Sequence, residues 1–228
     1  MTALTTHCII LCAGENQRWG GYRNAPRKHL VDIEGEPLLS RTLRQVAAYR
    51  PERTVVVVRE PDVGLYMPFC RPGNEIYPLR SQPGLHTEAW KYLSSRAMWN
   101  TAGRTISLLG DVWFSDEAMQ TIFQSPEEGW LAFGRSGPSR LTGCQWGELF
   151  AHRFHSSKEH LEKLMVLDGL YRAGKCKRAA SGWAHYHLMM GLDPHIQRVG
   201  PRFVEIDDFT EDFDYPHDYD RWMAGRRT

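Results

Sequence analysis

A chain of 228 residues has room for one α/β domain with a full core, since domains commonly take roughly 100–200 residues. Its 28 Lys and Arg against 27 Asp and Glu leave a formal charge of +1, which excludes a protein that coats nucleic acid through bulk charge. A composition of 42% hydrophobic and 24% charged residues excludes a disordered or collagen-like chain. The five cysteines, Cys8, Cys12, Cys70, Cys144 and Cys176, are scattered and contain no C-x-x-C pair. That spacing fits neither a disulfide framework nor a cysteine-rich zinc site and points to a reducing, cytoplasmic setting. The apolar runs at 8–13 and 55–58 fall far short of the ~18 residues that span a bilayer, so no membrane partner is expected.

In chain order, the apolar run 8–13, halted by Gly14, predicts a strand buried on both faces of a parallel sheet. Leu38, Leu39, Leu43 and Val46 recur at near-helical spacing and predict a helix over 37–49, and the β-branched run 54–58 predicts the next strand. A second helix is expected over 86–98, then a buried strand at 105–109 that stops at Gly110-Asp111. Further on, strands are expected at 130–133 and 148–152, separated by the turn residues of 134–138, and a helix at 157–173. No repeat or low-complexity linker interrupts the chain, so residues 1–228 read as one domain.

Charge is distributed unevenly within the neutral total. Arg18, Arg23, Arg27 and Lys28 lie in a stretch without a single acid, while residues 205–220 hold eight acids and no Lys or Arg. A strand that ends in Gly and opens into a long basic loop lets phosphate approach main-chain N–H groups. The residues alone leave two readings, an anion-binding loop or a solvated basic surface. Neither a P-loop nor a G-x-G-x-x-G motif is present.

Residues 11–20, Leu-Cys-Ala-Gly-Glu-Asn-Gln-Arg-Trp-Gly, followed by Pro26-Arg27-Lys28-His29-Leu30 and Gly35-Glu36-Pro37-Leu38, resemble the signature of nucleotidyltransferases with a GT-A-like fold. Those enzymes carry L-A-A-G-x-G-x-R, then P-K-x-L and G-x-P-L. The chain departs from the pattern at Asn16, where the family has Gly, and at Arg27, inserted between Pro26 and Lys28. The resemblance implies a three-layer α/β/α, Rossmann-like domain with a mixed, mostly parallel sheet. Residues 7–115 would form its nucleotide-binding half and 116–228 its acceptor-binding half. It also implies transfer of a nucleoside monophosphate from a nucleoside triphosphate to a small phosphorylated acceptor, with release of pyrophosphate.

By the same resemblance, Arg18 and Lys28 are the catalytic cations, and Leu11, Ala13, Gly14, Gln82 and Gly84 hold the nucleotide. Fixed cations suit this chemistry, because charge builds on phosphate oxygens in the transition state. Asp111 follows a buried strand in Leu109-Gly110-Asp111-Val112, which can be read as a turn or cap residue. The resemblance makes it the first ligand of Mg²⁺ or Mn²⁺, with Asp214 of the Asp212-Phe213-Asp214-Tyr215-Pro216 segment as the second. Asp207, Asp208 and Asp212 stay open as alternatives.

Glu148, in Trp146-Gly147-Glu148, resembles an acceptor-binding position, although the lysine common after it is replaced by Leu149. Trp146 and Trp183, with Tyr186, could cage a cation, stack on a sugar or simply line a core. His152, His155, His160, His185 and His187 carry no metal-binding spacing and read as ordinary histidines. Two other functions remain beside nucleotidyl transfer: a GT-A glycosyltransferase using a nucleotide sugar, or a non-catalytic nucleotide-binding domain.

Overall fold

The N-terminal apolar run forms strand β1, Thr6–Leu11, in a computed structural model that describes residues 5–14, 18–80, 92–155, 157–176, 181–195 and 199–226. A short hairpin, β2 (Asp32–Ile33) and β3 (Glu36–Pro37), leads into α1 (Leu38–Ala48), β4 (Arg53–Arg59), a single helical turn α2 (Val63–Tyr66) and β5 (Asn74–Leu79). Next come β6 (Arg104–Leu109), β7 (Val112–Trp113), α3 (Asp116–Gln124), β8 (Leu131–Arg135) and β9 (Glu148–Phe154). The chain ends with α4 (Ser157–Arg172), α5 (Ser181–Met189), β10 (Phe203–Glu205), β11 (Glu211–Asp212) and α6 (Pro216–Gly225).

Seven strands make the central sheet in the order β10-β8-β9-β6-β1-β4-β5. β1 runs parallel to both its neighbours, β4 and β6, whereas β9 is antiparallel to β6 and β8. The pleat of β1 explains the three layers. Cys8 and Ile10 face one side, where α1 and α3 contribute Leu39, Val46, Met119 and Ile122. Ile9 and Leu11 face the other, where α4 and α5 contribute Leu164, Leu167, Ala184 and Tyr186. Val55 to Val58 of β4 alternate between the same two layers at 0–2% exposure, as a strand covered on both faces requires. The fold is the expected three-layer α/β/α arrangement with a mixed, mostly parallel sheet.

From β1 the chain steps outward to β4 and β5, then returns to place β6 on the opposite side of β1. The strand order therefore reverses between β1 and β6, and in α/β sheets ligand sites gather at the carboxyl ends of the strands at such a switch point. A third apolar cluster, of Trp19, Val31, Ile33, Trp113, Phe213, Tyr219 and Trp222, lies under the basic loop and the acidic segment. It replaces solvent with aromatic packing at the point where the two charged stretches meet.

Apart from the helix expected over 86–98, the strands and helices read from periodicity are present, with ends shifted by at most two residues. Residues 86–91 of the helix expected over 86–98 lie outside the described residues; of the remainder, residues 92–93 are helical and residues 96–98 form a short 3-10 turn. Periodicity did not reveal β5, an edge strand of half-buried residues in which Pro78 is tolerated at the sheet margin. It also left the acidic 216–225 stretch without a helix, although Asp218 accepts the N–H of Tyr215 and caps it.

The histidines settle into the core. His152, His160 and His185 are at most 1% exposed, with Trp130 donating its indole N–H to His160 Nδ1 at 3.1 Å. Burial drives the His185 imidazole down to about 3. Burial, with His185 and His152 nearby, holds His160 well below the ordinary histidine range. Both gain protons more readily in the unfolded chain, so stability is full above pH 6.5 and falls as the pH drops toward the folded values, by about 1.4 kcal/mol per pH unit per histidine. Urea midpoints should therefore decline between pH 7 and pH 5. His185→Leu should flatten that slope by one histidine's share, and an unchanged slope in this variant would refute the assignment.

Candidate active site

The candidate site is built from the ends of β1 and β6. Gly110 N–H donates to the Leu11 carbonyl at 3.0 Å, and Cys12 N–H donates to Val57 at 2.8 Å. Gly110 has to be glycine, because a Cβ there would lie 2.4 Å from Cys12 Sγ and 2.8 Å from the Leu11 oxygen. That close approach brings Asp111 near Cys12. Among the described residues, nothing stands within 4 Å of where a Gly14 Cβ would be.

Lys28 is aimed by its neighbours. Arg27 donates Nε to Asp62 Oδ2 at 2.9 Å and makes a second hydrogen bond to Oδ1. His29 Nδ1 contacts the Tyr66 hydroxyl at 2.8 Å. Both flanking side chains are thus anchored on residues 62–66, and Lys28 extends instead to an ion pair with Asp111 Oδ2, with Asp214 Oδ1 at 3.9 Å. The inserted Arg27 is a strut for the loop rather than a disruption of it. Arg18 Nη1 pairs with Asp214 Oδ2 at 3.0 Å. Four residues from three separate stretches of sequence, Arg18, Lys28, Asp111 and Asp214, meet at one place.

Asp212 meets them too. In the extended D-F-D segment, Asp212 and Asp214 share one face while Phe213 turns into the aromatic cluster. Asp212 Oδ1 is closed off from solvent and has no hydrogen-bond partner among the described residues. Burial, then the charges of Asp111 and Asp214 working against Lys28, holds its carboxyl well above the usual range. For Lys28, burial opposes the ammonium, but Asp111, Asp212 and Asp214 outweigh it and raise its affinity for the proton. Three carboxylates thus surround one ammonium.

No group of three or more His, Cys, Asp or Glu side chains among the described residues stands ready to hold a metal ion. The orphaned oxygen of Asp212 and the mutual repulsion of these carboxylates nevertheless fit a hard cation. Mg²⁺ commonly takes only one or two carboxylates and completes its shell with phosphate oxygens and water.

The other candidates are placed elsewhere. Asp207 is exposed and pairs with Arg140 at 3.3 Å. Asp208 accepts the Ser115 hydroxyl at 2.5 Å and the Thr210 N–H at 2.7 Å, bracing the serine that caps α3. Gln82 and Gly84 lie outside the described residues. Glu148 is half-buried against Arg135, which also binds the fully buried Glu211 at 2.8 Å. Burial first, then Glu211, raises the Glu148 carboxyl despite Arg135.

Trp183 donates its indole N–H to the Gly147 carbonyl at 2.9 Å and stacks on Phe203. It therefore supports the loop from behind. Trp146 is 72% exposed and free to meet a ligand. Sequence reasoning missed the Arg135–Glu211 pair, because neither residue belongs to a spaced motif.

Residues 8–87 match the model of the MobA-like NTP transferase domain. The fold is shared with a Bacillus anthracis protein assigned as a glucose-1-phosphate thymidylyltransferase, at a TM-score of 0.67 and 13% identity over 98% of this chain and 96% of that one. It is also shared with 4-diphosphocytidyl-2C-methyl-D-erythritol synthase of Anaerococcus prevotii, at a TM-score of 0.63 and 13% identity over 99% of each chain. CTP:phosphocholine cytidylyltransferase of Streptococcus pneumoniae superposes at a TM-score of 0.57 and 12% identity, over 98% of this chain and 100% of that one. No protein of curated function matches the sequence.

The fold is thus one that these nucleotidyltransferases share, and the segment that resembles the MobA-like NTP transferase domain supplies β1, the basic loop, α1 and β4. No helix among the described residues is long and apolar enough to cross a membrane.

Proposed function

We propose that this protein transfers a nucleoside monophosphate from a nucleoside triphosphate to a small phosphorylated acceptor, in a reaction that needs a divalent cation. An acceptor phosphate oxygen attacks the α-phosphorus, the bond from that phosphorus to the bridging oxygen breaks, and pyrophosphate departs. The observation that supports this most is the meeting of Arg18 and Lys28 with Asp111, Asp212 and Asp214 at the mouths of β1 and β6.

Arg18, half exposed, is suited to grip the outer phosphates as they bind and leave. Lys28, mostly enclosed, is suited to meet charge that grows at the α-phosphate, where a fixed cation is worth most. Asp111 and Asp214, with Asp212 as the alternative to Asp214, would hold Mg²⁺ or Mn²⁺, which would supply charge neutralisation for the leaving group. The main chain at Leu11, Ala13 and Gly14 would take the nucleotide, with Gln82 and Gly84 beside the base. Trp146 and Glu148 would take the acceptor, over the support that Trp183 provides.

A pyrophosphate-release screen tests this by crossing the five common triphosphates with sugar phosphates, phosphocholine and other small phosphate esters. One triphosphate–acceptor pair should release pyrophosphate with Mg²⁺ and lose the signal with a chelator. Sugar transfer from a nucleotide sugar without pyrophosphate would overturn the reading in favour of a glycosyltransferase. Metal-dependent triphosphate binding without turnover would overturn it in favour of a non-catalytic domain.

A further inference from the structure

The charged groups of the site come from distant stretches of chain, and the main chain of Phe213 links them. Phe213 N–H donates to the Asp111 carbonyl at 3.3 Å. The Phe213 carbonyl accepts the indole N–H of Trp19 at 3.1 Å in a buried hydrogen bond. Trp19 directly follows Arg18, and Phe213 separates Asp212 from Asp214. Every charged group of the site except Lys28 is therefore a member of this hydrogen-bonded chain or the covalent neighbour of one.

Trp19 itself is 3% exposed and packs edge-on against Tyr22 at 5.5 Å. Arg18 also lies over the Tyr215 ring at 4.8 Å and, with Lys28, meets the Asp214 side chain, while other ties between the loop and the C-terminal region land farther along, on α6. Tyr22 donates to Asp220, and Arg23 donates to the Tyr219 hydroxyl at 3.0 Å. These hold the loop down without touching the D-F-D main chain. Only the Trp19 indole reaches it among these contacts, and a phenylalanine of similar breadth would fill the space without supplying the N–H.

We infer that Trp19 is a positioning residue whose indole N–H clamps the Phe213 carbonyl and so fixes Arg18 across from Asp214. This rests on the reading of the site as one for triphosphate. An error of about 1 Å in placing such a group can cost on the order of 100-fold in rate. Trp19→Phe should therefore slow pyrophosphate release about 10- to 100-fold at saturating substrate while the melting temperature moves little. If Trp19 acts through Arg18, the same change on an Arg18→Ala background should cost less than about twofold. Undiminished turnover in Trp19→Phe, or an equal loss on both backgrounds, would overturn the role.

A second measurement needs neither a folded variant nor turnover. In NMR spectra of the wild-type protein, the Trp19 indole proton and the Phe213 amide proton should show matching protection from solvent exchange, each rate taken relative to the intrinsic rate of its own group, because one opening releases both. Protection of the indole tenfold or more below that of the amide would overturn the clamp. If no triphosphate–acceptor pair yields pyrophosphate from the wild-type protein, the proposed function falls, and the exchange rates still decide whether the clamp exists.

Discussion

Lys28→Met will slow pyrophosphate release by about 100- to 1,000-fold, the range seen when one preorganised charge or donor is removed from a transition state. Methionine keeps much of the length and apolar stem of lysine, so the packing of the segment between Arg27 and His29 survives. What disappears is the ammonium that Asp111 and Asp214 now share. The fold should tolerate this at neutral pH, because the raised Asp212 carboxyl can take up a proton and relieve the repulsion that the ammonium had offset. Steady-state pyrophosphate release beside a thermal melt decides the point. Turnover within threefold of wild type would remove Lys28 from the chemistry, and a melt lost altogether would make its role structural.

The largest effect on stability should come from Arg135→Met. Arg135 is 5% exposed and bridges Glu148 and Glu211, and Glu211 also accepts the Ser139 hydroxyl at 2.5 Å. Truncating the cation abandons the wholly buried Glu211 carboxylate in a poorly solvated place, at a cost of about 3–5 kcal/mol. Glu211 begins β11, whose pairing with β7 holds Asp212 next to Asp111, so the damage should spread into the site. Urea unfolding measures the loss. Adding Glu211→Leu should restore a large part of it, since a buried pair replaced by apolar residues is often close to neutral. A double variant no more stable than Arg135→Met would mean that lost packing, not a stranded charge, accounts for the effect.

Some of this molecule was legible because the signal was local. The runs that became β1, β4 and β6 announce themselves by continuous apolar side chains, since a strand covered on both faces has no polar side to show. The basic loop was legible for a similar reason: four cations without an acid, after a strand ending in Gly, form a pattern within twenty residues. β5 was hidden, because an edge strand only half buried does not alternate clearly. Asp212 stayed an alternative to Asp214 because spacing says that two carboxylates share a face but not that Oδ1 of one is shut away from water. Asp207 and Asp208 carry the same charge nearby in sequence, and only their partners, Arg140 and Ser115, separate them from the site.

The sequence by itself determined the class of fold, the switch from strand to anion-suited loop after Leu11, and the opposite charges of residues 18–28 and 205–220. Those are properties of neighbouring residues and their periodicity. Tertiary structure decided which charges meet. Folding brings Arg18 and Lys28 against Asp111, Asp212 and Asp214, while Arg27 is turned onto Asp62 and Asp208 is drawn to the cap of α3. The physical reason is that a carboxylate's role depends on its distance from other charges and its access to water, and both are set by residues as far apart in the chain as Trp19 and Phe213. The near-zero net charge of the chain is, in the folded protein, the sum of two poles that meet in direct ion pairs.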